Sequence, residues 1–190
     1  MDTRVTIITG PIGSGKSTAL KYIKEKGFAT TDLDSISNNI LESQSSLEFL
    51  EANFSECLVQ NKIDKKLLAE VVFTNQDKLN NLENYLHPLV TQQVATLIQQ
   101  TPNHLFIEAS APKNIHHLYP TVVIFAEEPI RRKRLQSRGM SIKDIDNRIT
   151  TQAEESWWKS LGIVIENTSY TELYAPVSYT HLTLPTNREV

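Results

Sequence analysis

Eight consecutive residues, Gly10-Pro11-Ile12-Gly13-Ser14-Gly15-Lys16-Ser17, fit the spacing G-x-x-x-x-G-K-S in full. The chemistry of that spacing is phosphate binding. Glycines let successive backbone N–H groups turn inward on phosphate oxygens, and a helix that follows points its positive N-terminus at the same charge. Lys16 brings a cation to the β- and γ-phosphates, the Ser17 hydroxyl is placed to ligate Mg²⁺, and Thr18 reaches the α-phosphate side. A chance glycine turn would not also lie between a strand and a helix, as this one does. The loop alone does not separate a kinase from a GTPase, a motor or a switch. A GTPase is not expected, and the chain is too short for a motor domain with its usual partners.

A second constellation follows the first helix. On an extended segment residues two apart point the same way, so Asp32 and Asp34 are both expected to face the phosphate crevice from a strand's carboxyl end. One carboxylate would hold Mg²⁺ through water, and the other would accept the proton of an acceptor hydroxyl or orient it for in-line attack. The bland alternative is an aspartate capping a helix that starts near Ser35, which needs only one of the two.

The elements that must position these groups are legible as patterns. Residues 5–9 form a β-branched run like a buried parallel strand. Residues 16–26 have helical spacing at Ala19, Leu20 and Ile23, with Gly27 as a stop. Residues 28–31 suit a second strand, and strand–loop–helix–strand is a βαβ unit of an α/β fold with a parallel sheet. From about 35 to 100 the chain reads as almost wholly helical, an insertion beside the sheet, with a new helix opening at Pro88. Strands return at 105–108, 122–125 and 163–165. Ser141 is expected to cap a helix running through Gln152.

The basic run from Arg131 to Arg138 reads as a lid whose guanidiniums neutralise phosphoryl charge, with Arg134 and Arg138 on one helix face. Arg131, Arg132 and Lys133 are expected on a solvated face. His104, His116 and His117 are expected at the surface, lacking ligand spacing. Trp157 and Trp158 are expected to pack on the sheet edge rather than stack on a base.

At this point the residues resemble those of the dephospho-CoA kinase family, from about residue 5 to 173. The resemblance rests on the phosphate loop and the D-x-D pair, then Ile63-Asp64-Lys65 with Val72-Phe73, Leu86-His87-Pro88-Leu89-Val90, the stretch from Arg134 to Ser141 with Arg148-Ile149 and Gln152, and Val164-Ile165-Glu166-Asn167-Thr168. It implies a three-layer P-loop kinase core with a parallel sheet, a helical acceptor-binding insertion and a helical lid. Core residues would be 1–34 and 103–173, the lid about 127–153 and the insertion 35–102. It implies ATP with Mg²⁺ and phosphorylation of the ribose 3′-hydroxyl of dephospho-CoA. Asp34 would be the general base, Lys16 and Arg138 would act on the transferring group, and Asp32 with Ser17 would sit at the metal. Lys65 and His87 would serve the acceptor, Arg134 the lid, and Asn167 the adenine. Two departures stand out: Leu33 and Asn38 replace the family's Ala and Arg around D-x-D, and Ser110-Ala111-Pro112-Lys113-Asn114 replaces its P-L-L-x-E. They leave open another small-metabolite or nucleoside-monophosphate kinase, or a member that binds nucleotide without turnover.

Composition bounds the rest. The 190 residues carry 19 Lys+Arg against 22 Asp+Glu, a net charge of −3 that argues against a surface tracking nucleic acid. One cysteine, Cys57, excludes an internal disulfide framework and reads as a small buried hydrophobe. With neither a secretory-type leader nor a run near the ~18 apolar residues of a membrane helix, the expectation is a cytoplasmic protein with a small-molecule acceptor. A monomer or weak homo-oligomer is expected. Residues 174–190, and above all 177–190, follow neither period and resemble a translated adaptor, so they are left out of the fold.

Overall fold

The structure, a computed structural model, describes residues 4–112 and 115–168. In chain order it runs β1 (Arg4–Thr9), α1 (Lys16–Glu25), β2 (Ala29–Asp32), α2 (Leu33–Leu41), α3 (Leu47–Phe54), β3 (Leu58–Val59), β4 (Lys62–Ile63), α4 (Lys65–Thr74) and α5 (Gln76–Gln100). It continues through β5 (His104–Glu108), β6 (Thr121–Phe125), α6 (Glu128–Ser137), α7 (Ile142–Thr150), α8 (Glu155–Ser160) and β7 (Ile163–Glu166). Two compact units result: Leu33–Gln100, and the described residues of Met1–Asp32 with Thr101–Val190. The adaptor-like tail lies outside the described residues.

In the unit formed by Met1–Asp32 and Thr101–Val190, five parallel strands take the order β2-β5-β1-β6-β7. Strands buried on both faces are apolar without alternation, and β6, Thr-Val-Val-Ile-Phe, is buried at every position. Alternate side chains serve opposite faces. Val122 and Ile124 join Ile8, Phe106 and Ile165 against Ala19 and Ile23 of α1, whereas Val123 and Phe125 pack with Trp158 of α8. Helix, sheet and helix therefore form three layers, and the tryptophans are packing residues as expected. From β1 the chain winds to one side through β2 and β5 and to the other through β6 and β7. The crevice at the carboxyl end of β1 is thus a switch point, where α/β folds hold ligands.

His104 departs from its surface reading. It is buried in β5, with Nε2 2.7 Å from the Thr6 hydroxyl and its ring stacked on Phe106 at 4.2 Å. Strand alternation placed it in a core where Thr6 satisfies its polar edge. His116 is half-buried against the Pro112 carbonyl, and His117 is exposed.

The unit Leu33–Gln100 is helical, with one exception that the pattern did not foresee. Leu58↔Ile63 and Val59↔Lys62 pair as a two-stranded antiparallel ribbon, turned by Gln60 and Asn61 at φ 51° and 59°. Two consecutive left-handed residues are the signature of a tight hairpin turn, for which asparagine is well suited. Leu41, Leu50, Phe54, Cys57, Leu68, Val72 and Leu82 form the core, which confirms Cys57 as a buried hydrophobe. No new helix opens at Pro88 either, since α5 runs through it. The missing N–H costs about 3 kcal/mol in a helix interior, and packing along α2 and α4 outweighs it. Asp64 caps α4, accepting from the N–H groups of Lys66 and Leu67 at 3.0 and 3.1 Å.

Phe54 is fully buried in this core. Phe54→Ala is expected to lower stability by about 3–5 kcal/mol, against about 1 kcal/mol for Asp64→Ala, both measured by urea unfolding.

Candidate active site

The phosphate loop leaves β1 at Thr9, whose hydroxyl donates to the Ala109 carbonyl at 2.7 Å, and enters α1 at Lys16. Two of its glycines are sterically required. Gly10 has φ 141°, and a Cβ there would fall 2.0 Å from the Ile124 carbonyl oxygen; Gly15 has φ 106°, and a Cβ would fall 2.2 Å from Asn167 Nδ2. The Ser14 N–H donates to the Pro11 carbonyl at 3.2 Å, tightening the turn. Lys16 arches back over it, donating from Nζ to the Gly10 carbonyl at 2.9 Å. Ser17 is exposed and Thr18 half-buried on the first turn of α1. The Ser14 hydroxyl is fully buried and has no hydrogen-bond partner among the described residues, a polar group oriented within the loop itself.

Side chains from distant segments hold the loop from outside. Asn167 Nδ2 donates to the Ser14 carbonyl at 2.7 Å, and Arg134 Nη1 donates to the same oxygen at 3.1 Å. Arg134 Nη2 in turn donates to the Asn167 carbonyl at 2.9 Å. Arg131 donates from Nε to the Ala126 carbonyl at 3.0 Å and from Nη1 to that of Ile12 at 3.3 Å. Gln152 Oε1 accepts from the Ile12 N–H at 2.9 Å. A trans peptide directs its C=O and its N–H oppositely. Holding the Ile12 and Ser14 carbonyls outward therefore turns the N–H groups of Gly13 and Gly15 the other way, as an anion cradle needs.

Two expectations for the basic run change. Arg131 is buried rather than solvated, and burial lowers its pKa below the ordinary guanidinium value despite the nearby Glu128 and Glu155 carboxylates. It shares its buried face with Leu135, four residues on, which is the one sequence signal that could have marked it. Arg138, expected within the helix of Arg134, is instead its exposed C-cap, because α6 stops at Ser137. Arg132 pairs with Glu128 and with Asp146 of α7.

The acidic groups also differ from the extended reading. Asp32 ends β2 in register with Glu108 of β5, and Glu108 is in register with Ile8 of β1. Neighbours in register face one way, so Asp32 and Glu108 stand on the same face at the carboxyl edge of the sheet. Asp34 is not on that strand. The helix starts at Leu33, which puts Asp34 in the first turn of α2, where a carboxylate suits the helix dipole. The period of two ends at Asp32. Lys65, ion-paired with Glu42 at 2.5 Å, and His87, exposed on α5, belong like Asp34 to the helical unit. The sheet unit gathers the loop residues, Asp32, Arg134 and Asn167.

One feature bearing on the nucleotide base escaped the pattern reading. Asn61-Lys62-Ile63-Asp64 has the N-K-x-D order of a guanine-reading loop. Here Asn61 turns the hairpin, Lys62 and Ile63 form β4, and Asp64 caps α4, so the quartet has structural duties in the helical unit.

A glycine loop closed by Lys16 at a parallel-sheet switch point, with acidic strand ends and arginines behind it, defines a kinase of the P-loop class. The family model described as CoaE, dephospho-CoA kinase, matches residues 4–172. The dephospho-CoA kinase of Oceanobacillus iheyensis is 32% identical over 183 residues, 90% of this chain and 92% of that one. That of Fusobacterium nucleatum is 29% identical over 183 residues, covering 90% and 93%. A Thermus thermophilus crystal structure superposes with a TM-score of 0.87 at 26% identity, covering 98% of this chain and 100% of its own. The chain belongs to the dephospho-CoA kinase family.

Gly15→Ala adds about 1–2 kcal/mol of left-handed strain to its contact with Asn167, and ATP affinity by calorimetry is expected to fall at least about tenfold. Asn167→Ala should weaken ATP on its own, since it releases the Ser14 carbonyl, and in the Gly15→Ala background it should cost less than it does alone, because the two changes disturb the same contact.

Proposed function

We propose that the protein transfers the γ-phosphoryl group of ATP to the ribose 3′-hydroxyl of dephospho-CoA, yielding CoA and ADP. The observation that carries this is the phosphate loop with its carbonyls held outward, in a chain of this family. Phosphoryl transfer asks a protein mainly for positioning and charge neutralisation. The loop amides and Lys16 would hold the β- and γ-phosphates, Arg134 would serve the nucleotide by keeping the loop in place from behind, and Arg138 would offset charge on the transferring group. Asn167 would border the adenine.

The residues present fit a magnesium ion. Mg²⁺ takes one or two protein oxygens and completes its shell with phosphates and water. Ser17 on the first turn of α1, with Asp32 and the in-register Glu108 beyond it, supplies that kind of set. The ion would add charge neutralisation at the phosphate oxygens. Asp34 would take the proton of the attacking hydroxyl, and Lys65 and His87 would contact the acceptor. On this proposal the helical unit, residues 35–102, binds the acceptor, and residues 127–153 act as a lid. Among the described residues no helix is long and apolar enough to cross a membrane. The proposal includes a cytoplasmic setting and a monomer or weak homo-oligomer.

ADP release measured with dephospho-CoA, AMP and shikimate should favour dephospho-CoA by at least about a hundredfold in kcat/KM, the scale on which a matched polar site discriminates. Preference for either rival acceptor would overturn the assignment. Asp34→Asn should lower kcat by about 10²–10⁴-fold while ATP affinity stays within about threefold. Lys16→Ala should lose both.

A further inference from the structure

We infer that Gln152 is a positioning residue for nucleotide phosphates, a role resting on the proposed use of ATP but not on the identity of the acceptor. Its side-chain carbonyl accepts the Ile12 N–H at 2.9 Å, across 140 residues of sequence. Arg131 holds the carbonyl of the same residue at 3.3 Å. Ile12 is therefore gripped at both its N–H and its C=O, by groups from either end of the α6–α7 segment.

The grip is built on supports that are themselves fixed. Gln152 lies two residues past the end of α7, and its own N–H donates to the Ile149 carbonyl at 3.2 Å. The start of α7 is defined by the Ser141 hydroxyl, which accepts from the Asp144 N–H at 3.2 Å. Asp146 joins α7 to α6 through Arg132 at 2.5 Å. Arg131 is anchored a second time, to the Ala126 carbonyl just after β6. Gln152 is thus delivered to the loop by a helix tied to the one that delivers Arg131.

A glycine-rich loop loses more backbone freedom on ordering than other segments do. A side-chain carbonyl that fixes the Ile12 peptide beforehand removes part of that loss from the binding step. The consequence is selective. Ligands whose phosphates enter the loop gain from its prior order, and a nucleoside without phosphates does not.

The experiment compares wild type with Gln152→Met, which keeps bulk but loses the acceptor, and with Gln152→Glu, which keeps an acceptor oxygen at the same reach. Calorimetric affinities for ATP, ADP and adenosine and amide exchange at Ile12 are measured on the full chain. Gln152→Met should weaken ATP and ADP by about five- to tenfold, the value of one such hydrogen bond, and leave adenosine within about twofold. Exchange at Ile12 should accelerate by a similar factor and return toward wild type in Gln152→Glu without nucleotide. ATP binding in Gln152→Met within about twofold of wild type overturns the role. So does an equal loss for adenosine, or unchanged Ile12 exchange, because each reports a general structural effect or none. Since no acceptor is present, a wrong acceptor assignment leaves these readings intact.

Discussion

The structure of the sheet unit depends on where the peptide carbonyls of one short loop point. Phosphate is bound by N–H groups, and a loop of consecutive peptides can present them together only if its carbonyl oxygens are taken up on the other side. Here Asn167 and Arg134 hold the Ser14 carbonyl and Arg131 holds that of Ile12. A single loop thus draws on the end of β7 and on α6. These donors are charged or amide groups in half-buried or buried settings, where an unmade hydrogen bond is expensive and a made one is correspondingly restrictive.

That constraint explains features that would otherwise look unrelated. Arg131 tolerates burial because its donors meet carbonyls, which keeps the guanidinium hydrogen-bonded with no ion pair among the described residues. Gly15 lacks a side chain because Asn167 must approach the loop to reach Ser14. Gly10 lacks one because β6 passes within van der Waals range at Ile124. The glycines here serve approach by protein groups as much as approach by phosphate.

The acidic groups illustrate a different principle. Asp32 and Glu108 are brought side by side by strand register, although 76 positions separate them in the chain. Asp34, only two residues from Asp32, falls in a helix instead. Sequence proximity was the weaker guide, because the change from a period of two to one of 3.6 takes place between them.

Much of the fold and part of the site were legible in the residues alone. Runs such as Val122-Val123-Ile124-Phe125 announce buried parallel strands, and the glycine-lysine spacing announces a phosphate loop, because each is a local requirement of backbone geometry. The hairpin at Gln60-Asn61 and the passage of α5 through Pro88 were not legible, since neighbouring helices decide both. The buried lot of Arg131 and His104 and the reach of Gln152 to Ile12 likewise belong to the tertiary structure. Sequence by itself determined the five strands of the parallel sheet, the helix after the phosphate loop and the loop itself, since those follow from local periodicity and steric freedom. Only the tertiary structure decided which side chains hold that loop open, since such bonds join residues more than a hundred positions apart.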